Sequence, residues 1–126
     1  MPVTDARLSV GFPHHPKTQK LYRRLGAAGP WHFTVLILWC AQNKPDGDLE
    51  GMDDEDIEIA AAYPGEAGEL IQTLVDVGFM KGAPTLRRIN DWKAHQPWAY
   101  HAEDRSEKAR EAARARWQKE KAGKNR

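Results

Sequence analysis

The sequence predicts a mainly α fold with a small β-hairpin, ordered as a helix-turn-helix, a wing and a basic C-terminal helix. Three observations carry this. Residues 53–78 hold two amphipathic stretches split by Pro64-Gly65, residues 79–90 form short apolar runs around a Gly/Pro turn, and charge is segregated along the chain. Residues 1–104 hold 10 Lys/Arg against 15 Asp/Glu, whereas residues 105–126 hold 9 Lys/Arg against 3 Glu. The net charge of +1 therefore hides an acidic body and a basic extension, an asymmetry that points to nucleic acid. The expected division is a winged-helix domain over 1–104 and a helical or disordered basic tail over 105–126. Within the domain the helix-turn-helix spans about 53–78 and the wing about 79–90.

At 126 residues, 40% of them apolar and five of them Trp, the chain suits one globular domain with a modest core. Cys40 is the only cysteine, which excludes an internal disulfide and a thiolate zinc cluster. No run approaches the roughly 20 apolar residues of a membrane span. The opening MPVTDARLSV lacks the basic-then-apolar order of a signal peptide. A soluble cytoplasmic protein is expected.

Taken in order, Arg7 to Phe12 alternates weakly and predicts an edge strand, and Pro13 and Pro16 then interrupt regular structure. Lys17 to Leu25 predicts a short helix closed by Gly26 and Gly29. Pro30 is expected to open the next helix at its first position. There Phe33, Leu36, Ile37, Cys40 and Ala41 follow helical spacing, with Val35, Leu38 and Trp39 on the other side. A helix so apolar all round is expected at the centre of the core. Leu49 follows a turn at 44–48 as the inward residue of a tiny strand. Asp53 or Asp54 caps the first helix of the pair, which turns Ile57, Ala60 and Ala61 inward. Ala67, Leu70, Ile71, Leu74 and Val75 define the second, and Gly78 stands where a left-handed cap belongs. Strands at 79–80 and 86–89 flank the turn 81–85. Asp104 with Glu107 predicts a capping box at the start of the tail helix.

The expected second helix of the pair is acidic. Glu66, Glu69 and Asp76 would face phosphate with the wrong sign, and only Gln72 and Thr73 remain to read base edges. The wing offers Arg87 and Arg88, with Lys81 at its turn and Lys93 just beyond, for phosphate contact. On a helical wheel of the tail, Arg105, Lys108, Arg116 and Lys119 lie on one side, and Arg110, Arg114 and Lys121 nearly opposite. A membrane-surface helix would need an apolar face, which alanines and Trp117 do not supply. Backbone contact with DNA tolerates such a distribution, and Trp117 could stack on a base. His14, His15, His95 and His101 show no metal-ligand spacing, and the acidic run 53–56 is not a calcium loop. No catalytic residue, metal or cofactor is expected. The competing expectation is a protein-interaction module that uses Glu66, Glu69, Gln72 and Asp76 against a basic partner or in a homodimer.

Three segments together resemble the winged-helix N-terminal domain of phage and prophage replication proteins. They are Leu70 to Met80, Leu86 to Gln96 with its W-x-x-H-Q ending, and the tail Arg105 to Trp117. The helix Val35 to Asn43 followed by Asp46-Gly47 is similar to that family's L-x-x-L-W-x-x-A-x-x-D-G. The resemblance covers about residues 30–117. It implies a DNA-binding protein of the replication-initiator or replisome-organiser type, without enzymatic activity, acting in replication or its regulation. Members often carry a further C-terminal region that engages the helicase or its loader. With the sequence ending at Arg126, that region is expected to be absent.

Overall fold

The structure, a computed structural model, describes residues 3–124. Residues 125 and 126 of the expected tail, and the first two residues of the chain, lie outside the described residues. A one-turn 3-10 helix (Phe12–His14) leads into α1 (Pro16–Leu25) and α2 (Ala28–Asn43). Then come α3 (Asp54–Ala60), α4 (Glu69–Val77), β1 (Met80–Lys81), β2 (Arg88–Ile89), α5 (Trp92–His95), α6 (Pro97–Tyr100) and α7 (Ala102–Lys124). The molecule is thus mainly helical with one two-stranded antiparallel sheet, Met80 opposite Ile89 and Lys81 opposite Arg88.

The core forms between four helices: α1 and α3 pack on α2, and α4 packs on α1 and α3. Phe33, Leu36, Ile37, Cys40 and Ala41 are buried there, as their spacing predicts, against Leu21, Ile57, Leu70, Ile71 and Leu74. Each such large side chain contributes about 1.5–3 kcal/mol of burial. The far side of α2 is only partly covered: Val35 and Trp39 are half-buried, whereas Trp31 is 60% and Leu38 49% exposed. Pro30 does not open this helix. It begins at Ala28, and Gly29 is needed inside it because a Cβ there would meet Leu21 at 2.9 Å.

α3 and α4 are bound together by charge as well as by packing. Asp53 accepts from the Asp56 amide at 2.7 Å, and Asp56 accepts from the Asp53 amide at 3.2 Å, a reciprocal cap. From the other end of α3, the buried carboxylate of Glu58 accepts from Gly68 N at 2.6 Å and Leu70 N at 2.9 Å. It takes up backbone donors that the start of α4 leaves free, at the positive end of its dipole. Gly68, at φ 84, turns the chain there. The helix consequently starts at Glu69, so Glu66 lies in the preceding turn rather than on the helix. At its far end Gly78 (φ 95) and the Phe79 N to Leu74 O bond (2.9 Å) form a Schellman close, as the sequence predicts.

The hairpin has a third neighbour. Ile89 N bonds Gly47 O, Leu49 N bonds Arg87 O and Gly51 N bonds Thr85 O, at 2.9–3.1 Å, so residues 47–51 run antiparallel beside 85–89. Leu49 points into the core with no exposed surface, as expected. Trp92 closes this corner: its indole N–H donates to Pro45 O at 2.7 Å, and its ring lies where a Cβ on Gly47 would sit. Gln96 is buried, and its amide bonds both the N–H and the carbonyl of Arg7. The expected edge strand over Arg7–Phe12 is therefore absent. A side chain, not a sheet edge, satisfies that backbone, and Leu8 and Val10 are exposed.

Among the described residues, no helix is long and apolar enough to cross a membrane. Burial first, then the Asp46 charge, pushes the Cys40 thiol up to about 12, partly offset by Lys44. It is therefore protonated and inert at neutral pH. A thiol reagent at pH 8 is expected to leave the folded protein unmodified and to react fully once denaturant unfolds it. Glu58→Ala is expected to cost about 2 kcal/mol in urea unfolding, and Glu58→Gln less, since one acceptor oxygen remains.

Candidate nucleic-acid interface

Residues adjacent in an extended segment point to opposite faces. Arg87 and Arg88 therefore lie on opposite faces of the hairpin. Arg87 is the one turned in, 7% exposed. Its Nε and an Nη hydrogen-bond the two carboxylate oxygens of Asp54 at 3.0 and 3.1 Å, and its other Nη donates to Gly82 O. All three nitrogens of the guanidinium are bonded to the chain itself. Arg87, expected to meet phosphate from the wing, instead fastens the hairpin to the start of α3. Gly82 fits this role: it has φ 97, and a Cβ there would strike the Leu86 carbonyl.

Arg88 faces outward, its side chain 60% exposed, with Asp48 at 3.6 Å. Directly across the sheet stands Lys81. Like charges facing each other across a strand pair cost about 0.2–1 kcal/mol, and an incoming anion would relieve that cost. The sequence marks Lys81 only as a turn residue; the hairpin register makes it Arg88's neighbour. Together with Lys93, Tyr100 and His101 they line a shallow cleft between the hairpin and α5–α6. Lys93 Nζ lies 5.0 Å from the Tyr100 ring centre. Asp46, Asp48 and Asp91 also line the cleft, so its cations are partly balanced before any ligand arrives.

From the cleft's rim the chain passes into α7. This helix starts at Ala102, with Arg105 N bonded to His101 O, and so precedes the expected capping box at Asp104. Asp104 instead lies 3.4 Å from the His101 ring. Alanine and long charged side chains favour helix here without packing. Its 23 residues extend about 34 Å, and it meets the body mainly at α6. Lys108, Arg110, Arg114, Arg116 and Trp117 are all exposed along it; Arg105 is half-buried against Trp98. The expected tail residues thus share one projecting element whose root adjoins Arg88 and Lys93.

Two acidic residues of the alternative surface have partners within the chain, and all four of its residues are exposed. Asp76 sits 3.6 Å from Arg24 and accepts from Gln72 at 2.9 Å. Glu69 accepts from the Tyr63 hydroxyl at 2.8 Å. Desolvation first, then this bond and the charges of Glu69, Glu58 and Glu66, push Tyr63 up to about 12. Lys17 adds a cation at the close of α4, donating to Gly78 O at 3.1 Å. Among the described residues, no group of three or more His, Cys, Asp or Glu is placed to hold a metal ion. His15 caps α1, accepting from Lys17 N at 3.1 Å.

The chain matches no family model, no curated protein and no solved structure. Two neighbouring arginines give opposite expectations. Arg87→Ala strands Asp54 beside the hairpin and is expected to cost about 3 kcal/mol in urea unfolding. Arg88→Ala is expected to leave stability within about 0.5 kcal/mol.

Proposed function

We propose that this is a DNA-binding protein of winged-helix type, belonging with phage and prophage replication proteins and acting in DNA replication or its regulation. It contacts phosphates through the exposed face of the wing and through α7. One observation carries the proposal: the cleft that holds Lys81, Arg88 and Lys93 ends at His101, where the exposed basic helix α7 begins, while α4 carries no Lys or Arg.

The order α3, turn, α4, hairpin, with a third extended segment beside the hairpin, supports the winged-helix reading. In such a unit the second helix commonly enters the major groove. Here α4 carries Glu69 and Asp76 and no Lys or Arg, so groove entry is disfavoured. Arg88, Lys81 and Lys93 then act as a short positive strip that orients the body, and α7 supplies most of the charge. Replication proteins such as a helicase or its loader are the partners this reading implies, in a cytoplasmic setting. No catalytic step is assigned to it.

Counterion release gives the test. Duplex binding is titrated against salt for the native chain and for Arg110→Gln/Arg114→Gln/Arg116→Gln. The log–log slope is expected to flatten by about 2–3 in the variant, near 0.9 for each phosphate no longer neutralised. Equal affinity and slope for the two proteins would remove α7 from the interface.

A further inference from the structure

Exposed aromatic rings recur along α6 and α7, each paired with a cation. The Arg105 guanidinium lies 3.3 Å from the centre of the Trp98 ring, Lys93 lies 5.0 Å from Tyr100, and Lys121 lies 5.1 Å from Trp117. Despite these neighbours, Trp98 remains 56%, Tyr100 38% and Trp117 62% exposed. Nothing in the core needs them there: the buried aromatic of this region is Trp92.

We propose that the surface from Trp98 to Lys121 binds single-stranded nucleic acid, its bases stacking on Trp98, Tyr100 and Trp117 while the flanking cations hold the phosphates. This rests on the DNA-binding reading and names the form of DNA that the site takes. In a duplex the base faces are covered by their neighbours, so an exposed indole gains little from a groove or a backbone. A single strand offers both a base face and a phosphate per nucleotide, which is the pairing of ring and cation found three times here. Arginine stacked on an indole leaves the opposite indole face free and holds the ring in place.

Charge and dimensions agree. Residues 105–124 carry 8 Lys/Arg against 3 Glu, a surface suited to a polyanion. Arg105, at the Trp98 platform, and Trp117 are separated by twelve residues of helix, about 18 Å, within reach of a strand of several nucleotides. A strand can wrap from one side of α7 to the other, which suits cations distributed around the whole helix. An apolar membrane surface fits poorly, because Arg110, Arg114 and Lys121 lie on the side nearly opposite Arg105 and no continuous apolar face separates them.

The test uses the full chain and fluorescence anisotropy with a labelled oligo-dT of about 16 nucleotides and a labelled duplex of equal total charge, at one salt concentration. Oligo-dT is expected to bind more tightly than the duplex. Trp98→Ala and Trp117→Ala are each expected to weaken oligo-dT about tenfold, to change duplex affinity less than twofold, and to leave the oligo-dT salt slope unaltered. Trp117→Phe should restore most of the affinity and Trp117→Leu should not, since leucine is apolar but has no ring face. Trp117 lies on a solvated helix remote from the core, so its variants report on binding rather than folding. A duplex bound as tightly as oligo-dT, with the tryptophan variants neutral, would overturn stacking and leave DNA binding standing. Binding of neither probe would overturn both.

Discussion

The Arg87–Asp54 pair joins two parts of the chain 33 residues apart, and the placement of the hairpin depends on it. A short hairpin has little stability of its own. Here it is held by a bidentate ion pair to the first turn of α3, a bond from the same guanidinium to Gly82, and a third extended segment along its other edge. Because Arg87 is consumed inside, Arg88 must face out, opposite Lys81. The same hairpin feeds Trp92, whose ring and N–H fix the loop at 45–47. The rim from which α6 and α7 depart is thereby set.

A buried carboxylate, Glu58, does for α4 what the half-buried Asp54 does for the hairpin. With its oxygens on the first amides of α4, the helix pair becomes one electrostatic unit, and Asp76 is drawn to Arg24 on α1. The acidity of α4 thus has a structural use on several sides, and this lessens the need for a basic partner to explain it. Several carboxylates cap helices and pair within the body, whereas α7, which projects from it, carries more cations than carboxylates.

Much of this was legible from spacing. The buried face of α2, an Asp cap at 53 or 54 (Asp53 in the structure), the left-handed Gly78 and the inward Leu49 all follow from local rules that act within a few residues. What escaped depends on distant partners. Nothing near Arg87 in sequence reveals Asp54, although strand alternation already places the two arginines on opposite faces. Gln96 standing in for a strand at Arg7 is equally non-local, across 89 residues. The exposed side of α2 escaped because an apolar pattern says which residues could be buried, and only the number of neighbouring helices says which are. Glu66 fell outside α4 because Glu58, ten residues before Gly68, decides where that helix begins.

On the proposed function, nucleic acid meets the hairpin, α5–α6 and α7, and α4 stands aside. Amide and indole NMR shifts of the full chain, followed during titration with an oligonucleotide, test it most directly. The expected result is that Lys81, Arg88, Lys93, the Trp98 and Trp117 indoles and the amides of α7 move together, while the amides of Glu69–Val77 stay in place. Largest shifts along Glu69–Val77, with α7 unmoved, would contradict it.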